Sequence, residues 1–230
     1  MKTEIEQIAD RYARRTLSVG ERYARLRPEI VAGVQERQRA LAALLRKQSI
    51  AELSKTTVLE VGCGAGSNLL ELLLLGAHPE NLAGNELLPE RLHQARRMLP
   101  EAVRLHSGDA STLQFAPDSF DIVYQSTMFS SILDDTLQQH LAECMWRWVR
   151  PGGGVLWYDF IYNNPSNPDV RGIPLKRVRQ LFPDGKLART RVTLAPPISR
   201  RVTRVHPALY GVFNLLPILR SHVLCFIQKK

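Results

Sequence analysis

Cysteine is scarce in this sequence, and long apolar runs are absent. The 230 residues include three cysteines, Cys63, Cys144 and Cys225, which stand far apart and form no CxxC pair. This spacing excludes a disulfide framework and a zinc-binding pattern, so we expect a reducing cytoplasmic environment and no bound metal. Residues 1–15 carry charges instead of the apolar core of a signal peptide, and no run approaches the roughly 20 residues that span a bilayer.

Acidic residues are scarce only in the last third of the chain. Residues 161–230 contain 13 Lys and Arg against 2 Asp and Glu, whereas residues 57–160 contain 6 against 13. A basic tail favours an anionic partner, such as nucleic acid or an anionic membrane surface, or is a solvated face that promotes solubility. Three arginines within 200–204 precede the apolar stretch 209–219. Contact with the inner membrane face or a lipid-linked acceptor therefore stays open, beside the alternative of a tail packed on the sheet.

The hydrophobic pattern predicts an N-terminal helical cap, 1–50, and an α/β domain, 51–230. The first part predicts helices with a break near Gly20 and a new start at Pro28. Short apolar runs then alternate with helical stretches, which is typical of repeated βαβ units. The predicted strands are 57–61, 82–86, 103–107, 120–125, 154–160, 187–194 and 221–227, and the predicted helices are 68–75, 89–98, 137–148, 175–181 and 208–216.

The stretch 58–68, VLEVGCGAGSN, joins a predicted strand to a predicted helix through a glycine-rich turn. Glycine is needed where the backbone turns sharply and where a ligand lies directly on main-chain atoms, because a Cβ would occupy that space. A nucleotide-like ligand is therefore expected here. The candidate binding residues in this stretch are Glu60, Gly62, Cys63, Gly64, Gly66 and Asn68.

Two residues of this stretch separate the possible nucleotides. Ser67 stands where the dinucleotide fingerprint GxGxxG requires its third glycine, and no GxxxxGK[ST] is present. The carboxylate of Glu60 would repel a pyrophosphate but suits a cation. S-adenosylmethionine (SAM) carries an ammonium and a sulfonium and no phosphate, so it is the expected ligand.

Two further acids follow the next two predicted strands. Glu86, before Leu87, ends the second strand, where its carboxylate can accept both hydroxyls of a ribose. Asp109, before Ala110, follows the third strand and is a candidate for the adenine amino group. Taken alone, Asp109 is more typical of a turn or helix cap.

In this order, the motifs resemble those of the class I SAM-dependent methyltransferases. Residues 120–125 resemble the fourth strand of that family, and the turn 150–153 (RPGG) resembles its lead into the fifth. The resemblance implies a Rossmann-like, mostly parallel sheet of seven strands in the order 3-2-1-4-5-7-6, with one antiparallel strand and helices on both faces. It also implies methyl transfer from SAM, with Gln125 as a further candidate on the cofactor side.

The methyl acceptor is less strongly indicated. Asp159, at the end of the fifth strand, is the candidate general base, and a structural strand-end carboxylate is the alternative. The following loop is rich in neutral hydrogen-bonding groups and is similar to small-molecule methyltransferases associated with bacterial surface polysaccharides. The expected function is therefore O-methylation of a small-molecule or glycan acceptor. The candidate acceptor-binding residues are Tyr162, Asn163, Asn164 and Arg171.

Two other functions stay open. The basic tail allows methylation of RNA or another anionic macromolecule, and a SAM-binding protein without catalysis is the third hypothesis. DNA methylation is disfavoured because QSTM, residues 125–128, replaces the Asn/Asp-Pro-Pro-aromatic motif of amino-methylating DNA enzymes. None of the cysteines is placed as a nucleophile for carbon-5 methylation of pyrimidines. Nucleic acid is thus not the expected partner.

Overall fold

Seven strands form a single sheet in the computed structural model, which describes residues 3–19, 24–164 and 167–230. The strand order is β3-β2-β1-β4-β5-β7-β6, and β7 runs antiparallel to both of its neighbours. The predicted fold class is confirmed. The strands are β1 (Val58–Val61), β2 (Leu82–Glu86), β3 (Arg104–Ser107), β4 (Phe120–Ser126), β5 (Val149–Phe160), β6 (Lys186–Leu194) and β7 (Arg220–Gln228).

Helices cover both faces of the sheet. One face packs against α5 and α6, and the other packs against α2, α3 and α4. Short 3₁₀ turns lie at Pro79–Asn81, Ala110–Thr112, Phe129–Ser131 and Pro217–Leu219. The helices are α1 (Glu4–Val19), α2 (Pro28–Lys47), α3 (Ser67–Leu74), α4 (Pro89–Met98), α5 (Asp135–Trp148), α6 (Leu175–Leu181), α7 (Pro196–Val205) and α8 (Leu209–Asn214).

The central strands are apolar on both sides because helices cover both faces. All four residues of β1 are buried, and its alternate side chains enter the two separate cores. The α5 face has the larger side chains, with Trp148 and Trp157 fully buried. This packing fixes the carboxyl ends of β1, β2, β4 and β5 at one edge of the sheet, where ligands of open α/β sheets bind.

Two elements differ from the sequence prediction. β5 begins at Val149 rather than 154, because Val149 already pairs with Phe120, and the glycine turn forms an irregularity within the strand, where Gly152 has φ +83°. Helix α7 was not predicted. Its β-branched residues lower helix propensity, although Pro at its first two positions is a typical helix start.

Three positions named in the sequence predictions lie outside the residues that the structure describes. The break near Gly20 and two loop positions, Pro165 and Ser166, fall on residues that the structure does not describe. Helices α1 and α2 occupy the predicted N-terminal helical part, whose separation from residues 51–230 as a cap stays a prediction. No helix in the described part of the chain has the length and apolar character needed to cross a bilayer.

Candidate functional site

A cavity of about 1890 Å³ opens at the carboxyl edge of the sheet. Its walls include the ends of β1, β2, β4 and β5 together with the glycine-rich turn. Pockets for a single small ligand usually measure about 300–1,000 Å³. The cavity is therefore large enough for a cofactor and a second molecule side by side.

The glycine-rich turn is built so that side chains would not fit. Gly62 has φ +71°, and a Cβ there would lie 2.7 Å from Cγ of Met128. Gly66 has φ +85°, and its Cβ would lie 2.7 Å from Cδ1 of Leu99. Gly64 also has positive φ, +58°, and lines the cavity. Gly62 and Gly64 thus present backbone to the cavity, whereas Gly66 is not part of its lining and is required by its positive φ and by packing against Leu99.

Glu86 links the second strand to this turn. Its carboxylate accepts a hydrogen bond from the Gly64 N–H at 2.8 Å and from the Leu88 N–H at 2.9 Å. The side chain is nearly buried yet lines the cavity. A carboxylate has about four acceptor positions, so two remain for ligand hydroxyls.

Glu60 lies fully buried beneath the turn, outside the cavity lining. Its Oε1 accepts a hydrogen bond from Nδ2 of Asn68 at 2.6 Å, and Asn68 itself lines the cavity. Within the described chain, Oε2 of Glu60 has no hydrogen-bond partner. Burial in a poorly solvated site raises the pKa of this carboxyl to about 8. A nearby cation would favour the ionised form.

Apart from Gln125, the remaining candidates for cofactor binding lie in the cavity wall. Cys63, Leu87, Asp109 and Ala110 all line the cavity. Asp109 also caps the following 3₁₀ turn, because it accepts hydrogen bonds from the N–H and the Oγ of Ser111, each at 2.8 Å. It thus has the turn-capping role that its residue type favours and is also exposed to the ligand.

Gln125 and Asp159 lie behind the cavity wall rather than in it. Gln125 is fully buried, accepts a hydrogen bond from the Met128 N–H at 3.2 Å and donates to the Tyr158 carbonyl at 3.4 Å. Asp159 is also fully buried and accepts hydrogen bonds from the N–H groups of Ser130, at 3.1 Å, and Phe160, at 2.9 Å. Burial raises the pKa of Asp159 to about 7. Both side chains hold the loop after β4 against β5.

The loop after β5 brings three of the four acceptor-side candidates to the cavity. Tyr162, Asn163 and Asn164 line it, and half of the Tyr162 side chain is exposed. Oδ1 of Asn163 accepts a hydrogen bond from the Gly172 N–H at 3.0 Å, which closes the loop on itself. Arg171 is not part of the lining and pairs with Asp135 at the start of α5.

The two N-terminal helices form the roof of the cavity. Arg11 on α1 donates to the carbonyl of Ser131 at 3.1 Å, and Glu4 accepts from the Leu133 N–H at 2.8 Å. On α2, Glu36 accepts from the Thr193 N–H at 2.9 Å and from the Tyr210 hydroxyl at 2.8 Å. The roof is therefore tied to the loop after β4 on one side and to β6 and α8 on the other.

His222 on β7 is a site residue that sequence reasoning missed. It is the only histidine among the described residues that line the cavity. Its ring stacks on Tyr158 with 5.0 Å between centroids, and its Nδ1 lies 2.9 Å from Oγ of Ser221. Burial lowers the pKa of this imidazole to about 4, so it is neutral at pH 7. The available signal was its position near the start of the antiparallel strand, beside the end of β5.

Residues 58–153 match the family described as Methyltransferase domain. This stretch, less than half of the chain, is thus similar to a methyltransferase domain. A SAM-dependent methyltransferase from Mesorhizobium loti has the same fold, with a TM-score of 0.59 and 18% identity over 80% of this chain and 95% of that one. The SAM complex of Haemonchus contortus phosphoethanolamine N-methyltransferase 2 also has a TM-score of 0.59, at 14% identity over 84% of this chain and 53% of that one.

Two curated relatives of this chain are named after their substrates. Phthiotriol/phenolphthiotriol dimycocerosates methyltransferase 1 of Mycobacterium ulcerans is 35% identical over 56% of this chain and 48% of that protein. The 2-methyl-6-phytyl-1,4-hydroquinone methyltransferase of Synechocystis is 30% identical over 52% of this chain and 35% of that protein. The chain thus spans about half or less of the length of these relatives.

The residues of the methyltransferase domain fit SAM. Gly62 and Gly64 bring the backbone of the turn to the cavity, and Glu60 and Glu86 suit a ligand with positive charge and free hydroxyls. The unpaired, buried Oε2 of Glu60 is the feature that an anionic dinucleotide would leave unsatisfied. No cluster of three or more His, Cys, Asp or Glu side chains suited to a metal ion occurs in the described residues.

Proposed function

We propose that this chain transfers a methyl group from SAM to an oxygen of a small-molecule acceptor that joins a hydroxylated head, such as a sugar or phenol, to an apolar body. The observation that carries the proposal is the extent of the cavity beyond the cofactor residues. Apolar side chains of α1 and α2 line its roof, and the polar loop after β5 lines its rim. The names of the two curated relatives, a dimycocerosate and a phytyl-hydroquinone methyltransferase, support an acceptor of this kind.

The roles of the cofactor residues follow from their positions. We assign the backbone of Gly62, Gly64 and Gly66 to the contact with the amino-acid part of SAM, and Glu86 to the ribose hydroxyls. Asp109 is assigned to the adenine end, since it lines the cavity beyond β3. Gln125 acts through its hold on the Met128 N–H. SAM supplies a methyl group on a positively charged sulfur, so the protein's task is chiefly to align the acceptor and exclude water.

An unactivated hydroxyl must lose its proton as the new oxygen–carbon bond forms, which calls for a general base. Asp159 is one candidate, but its carboxylate is held behind the cavity wall. His222 is the second, because it lines the cavity and is neutral at pH 7. In either case the proton passes from the acceptor hydroxyl to the base, and the carbon–sulfur bonding pair stays on sulfur.

The dependence of kcat/KM on pH distinguishes the two bases. If His222 accepts the proton, kcat/KM rises near pH 4 and is flat above about pH 6, because the imidazole must be neutral. If Asp159 accepts it, kcat/KM rises near pH 7. We expect the first profile, together with a loss of about 100-fold in kcat for His222→Gln, the lower end of general-base effects.

The Asp159→Asn variant is the matched control for this experiment. It keeps the size of the side chain and one of the two acceptor oxygens, so one of the two backbone N–H groups retains its partner, and we expect a moderate change in kcat with an unchanged pH profile. Full kcat in both variants would contradict base-assisted methylation of a hydroxyl.

The acceptor class is tested by incubating the protein with methyl-labelled SAM and separated cellular fractions. Label is expected in lipid or glycolipid extracts and in purified material with a free hydroxyl. Alkaline stability of the labelled product would distinguish an ether from an ester. Label confined to RNA or protein would refute the proposal and favour the macromolecular alternative.

A further inference from the structure

The C-terminal part of the domain presents a concentrated apolar surface to solvent. Of thirteen large apolar side chains that are exposed among the described residues, six lie within the short stretch 205–218. This stretch comprises the end of α7, helix α8, which packs on α7, and the 3₁₀ turn Pro217–Leu219. Clusters of this kind usually mark an interaction site, whereas single exposed apolar residues do not. The C-terminal apolar surface consists of Val205, Val212, Phe213, Leu215, Leu216 and Ile218.

The segment that carries this surface has charged side chains of one sign. Residues 196–222 contain four arginines and no aspartate or glutamate. Arg201 and Arg204 are exposed on α7, and within the described part of the chain neither guanidinium has an ion-pair partner. An apolar face bordered by unpaired arginines is typical of segments that lie in the interface of an anionic membrane.

The same two helices also form part of the cavity wall. Pro196, Pro197, Ser199 and Arg200 of α7 and Tyr210 of α8 line the cavity, while neighbouring residues of these helices are exposed. The C-terminal apolar surface therefore borders the acceptor side of the site. A molecule residing in a bilayer under this surface would have a short path into the cavity.

We propose that the C-terminal apolar surface docks on an anionic phospholipid bilayer, with Arg201 and Arg204 at the headgroups. The charge pattern favours a bilayer over a second copy of the chain. In a two-fold dimer the same surface would meet itself, and the arginines of both copies would be brought together, while residues 196–222 of neither copy supply an acid. Anionic headgroups supply the missing counter-charge.

This inference rests on the proposed function only in its explanation of why a bilayer lies beside the cavity. Docking itself needs neither SAM nor acceptor, so the two proposals are tested separately. Failure of vesicle binding with full methylation of a detergent-dispersed acceptor refutes docking alone. Vesicle binding without methylation of any lipid-like acceptor refutes the proposed function alone.

Cosedimentation of the full chain with vesicles tests the docking. We expect binding to vesicles of phosphatidylcholine mixed with phosphatidylglycerol, weak binding to phosphatidylcholine alone, and loss of binding at high salt. The double variant Leu215→Ser with Ile218→Ser should bind the mixed vesicles at least about 10-fold more weakly. Charge reversal by Arg201→Glu with Arg204→Glu should also weaken binding at least about 10-fold, because attraction to the anionic headgroups is replaced by repulsion.

Matched controls come from exposed residues elsewhere in the domain. Leu74 on α3 is as exposed as Ile218, so Leu74→Ser replaces an equally exposed apolar side chain outside the C-terminal apolar surface. Arg96→Glu with Arg97→Glu on α4 reverses the same charge. Equal vesicle binding by the parent and both surface variants would overturn the proposal, as would an absence of binding. Dimerisation that Leu215→Ser with Ile218→Ser abolishes would assign the surface to a second copy instead.

Discussion

Replacing Glu86 by alanine is expected to weaken SAM binding by about 100-fold. The substitution removes the acceptor for two ribose hydroxyls, and hydrogen bonds to a charged group contribute about 1.5–3 kcal/mol each. It also leaves the Gly64 and Leu88 N–H groups without the carboxylate to which they donate hydrogen bonds in the parent protein. The glycine turn therefore loses a support at the point where the ligand lies on it. Isothermal titration calorimetry with SAM measures the change.

Two variants separate a binding role from a structural one. Glu86→Gln keeps one acceptor oxygen and should recover part of the affinity, while Glu90→Ala removes an exposed carboxylate on α4 and should leave it unchanged. Chemical denaturation of each variant reports whether the fold is intact. An unchanged dissociation constant in a folded Glu86→Ala protein would refute the ribose assignment.

The ligand-free protein is expected to become less stable as the pH rises from 5 to 8, and Glu60→Gln is expected to remove much of this loss. The pKa of Glu60 is about 8 in the folded protein and near 4.5 when unfolded. Between these values the folded state holds a proton that the unfolded state has released, so the free energy of unfolding falls with pH. At about 1.4 kcal/mol per pKa unit, the difference between about 8 and 4.5 lowers the free energy of unfolding by about 5 kcal/mol in total.

The measurement is urea denaturation of both proteins at several pH values without ligand. At pH 8 the Glu60→Gln variant should be the more stable, whereas near pH 4 the two should be similar. Asp159 contributes a second, smaller fall up to its pKa of about 7, which the variant retains and Asp159→Asn removes. Glu90→Gln, with the same charge change on the surface, should follow the parent. If the free energy of unfolding changed with pH in the same way in the parent and in Glu60→Gln, the raised pKa of Glu60 would be contradicted.

The candidate cofactor side of the cavity could be predicted from the sequence because it depends on local backbone geometry. Gly62 and Gly66 adopt the positive φ that the motif requires, and Glu86 ends its strand at the cavity. Regular alternation of apolar runs was enough to place all seven strands and, by resemblance, to order them. Asp109 was placed equally well by both interpretations, since it caps a turn and lines the cavity.

The acceptor half could not be predicted because it depends on contacts between residues distant in sequence. His222 and Tyr158 stack through the pairing of β5 with β7, which no local pattern reveals. Asp159 has the expected position in its strand, yet its side chain is turned toward the Ser130 N–H. Arg171, in the loop after β5, likewise pairs with Asp135 at the start of α5 instead of lining the cavity.

The roof and part of the wall of the cavity come from segments on either side of the matched family region, 58–153. Helices α1 and α2 precede that region, and α7, α8 and β7 follow it. Substitutions in the flanks can therefore reshape the chamber for a new acceptor while the glycine turn and Glu86 stay as they are. Among related proteins that methylate different acceptors, we expect the sequence differences to be concentrated in these two flanking segments. The residues assigned to the cofactor should be the same in all of them.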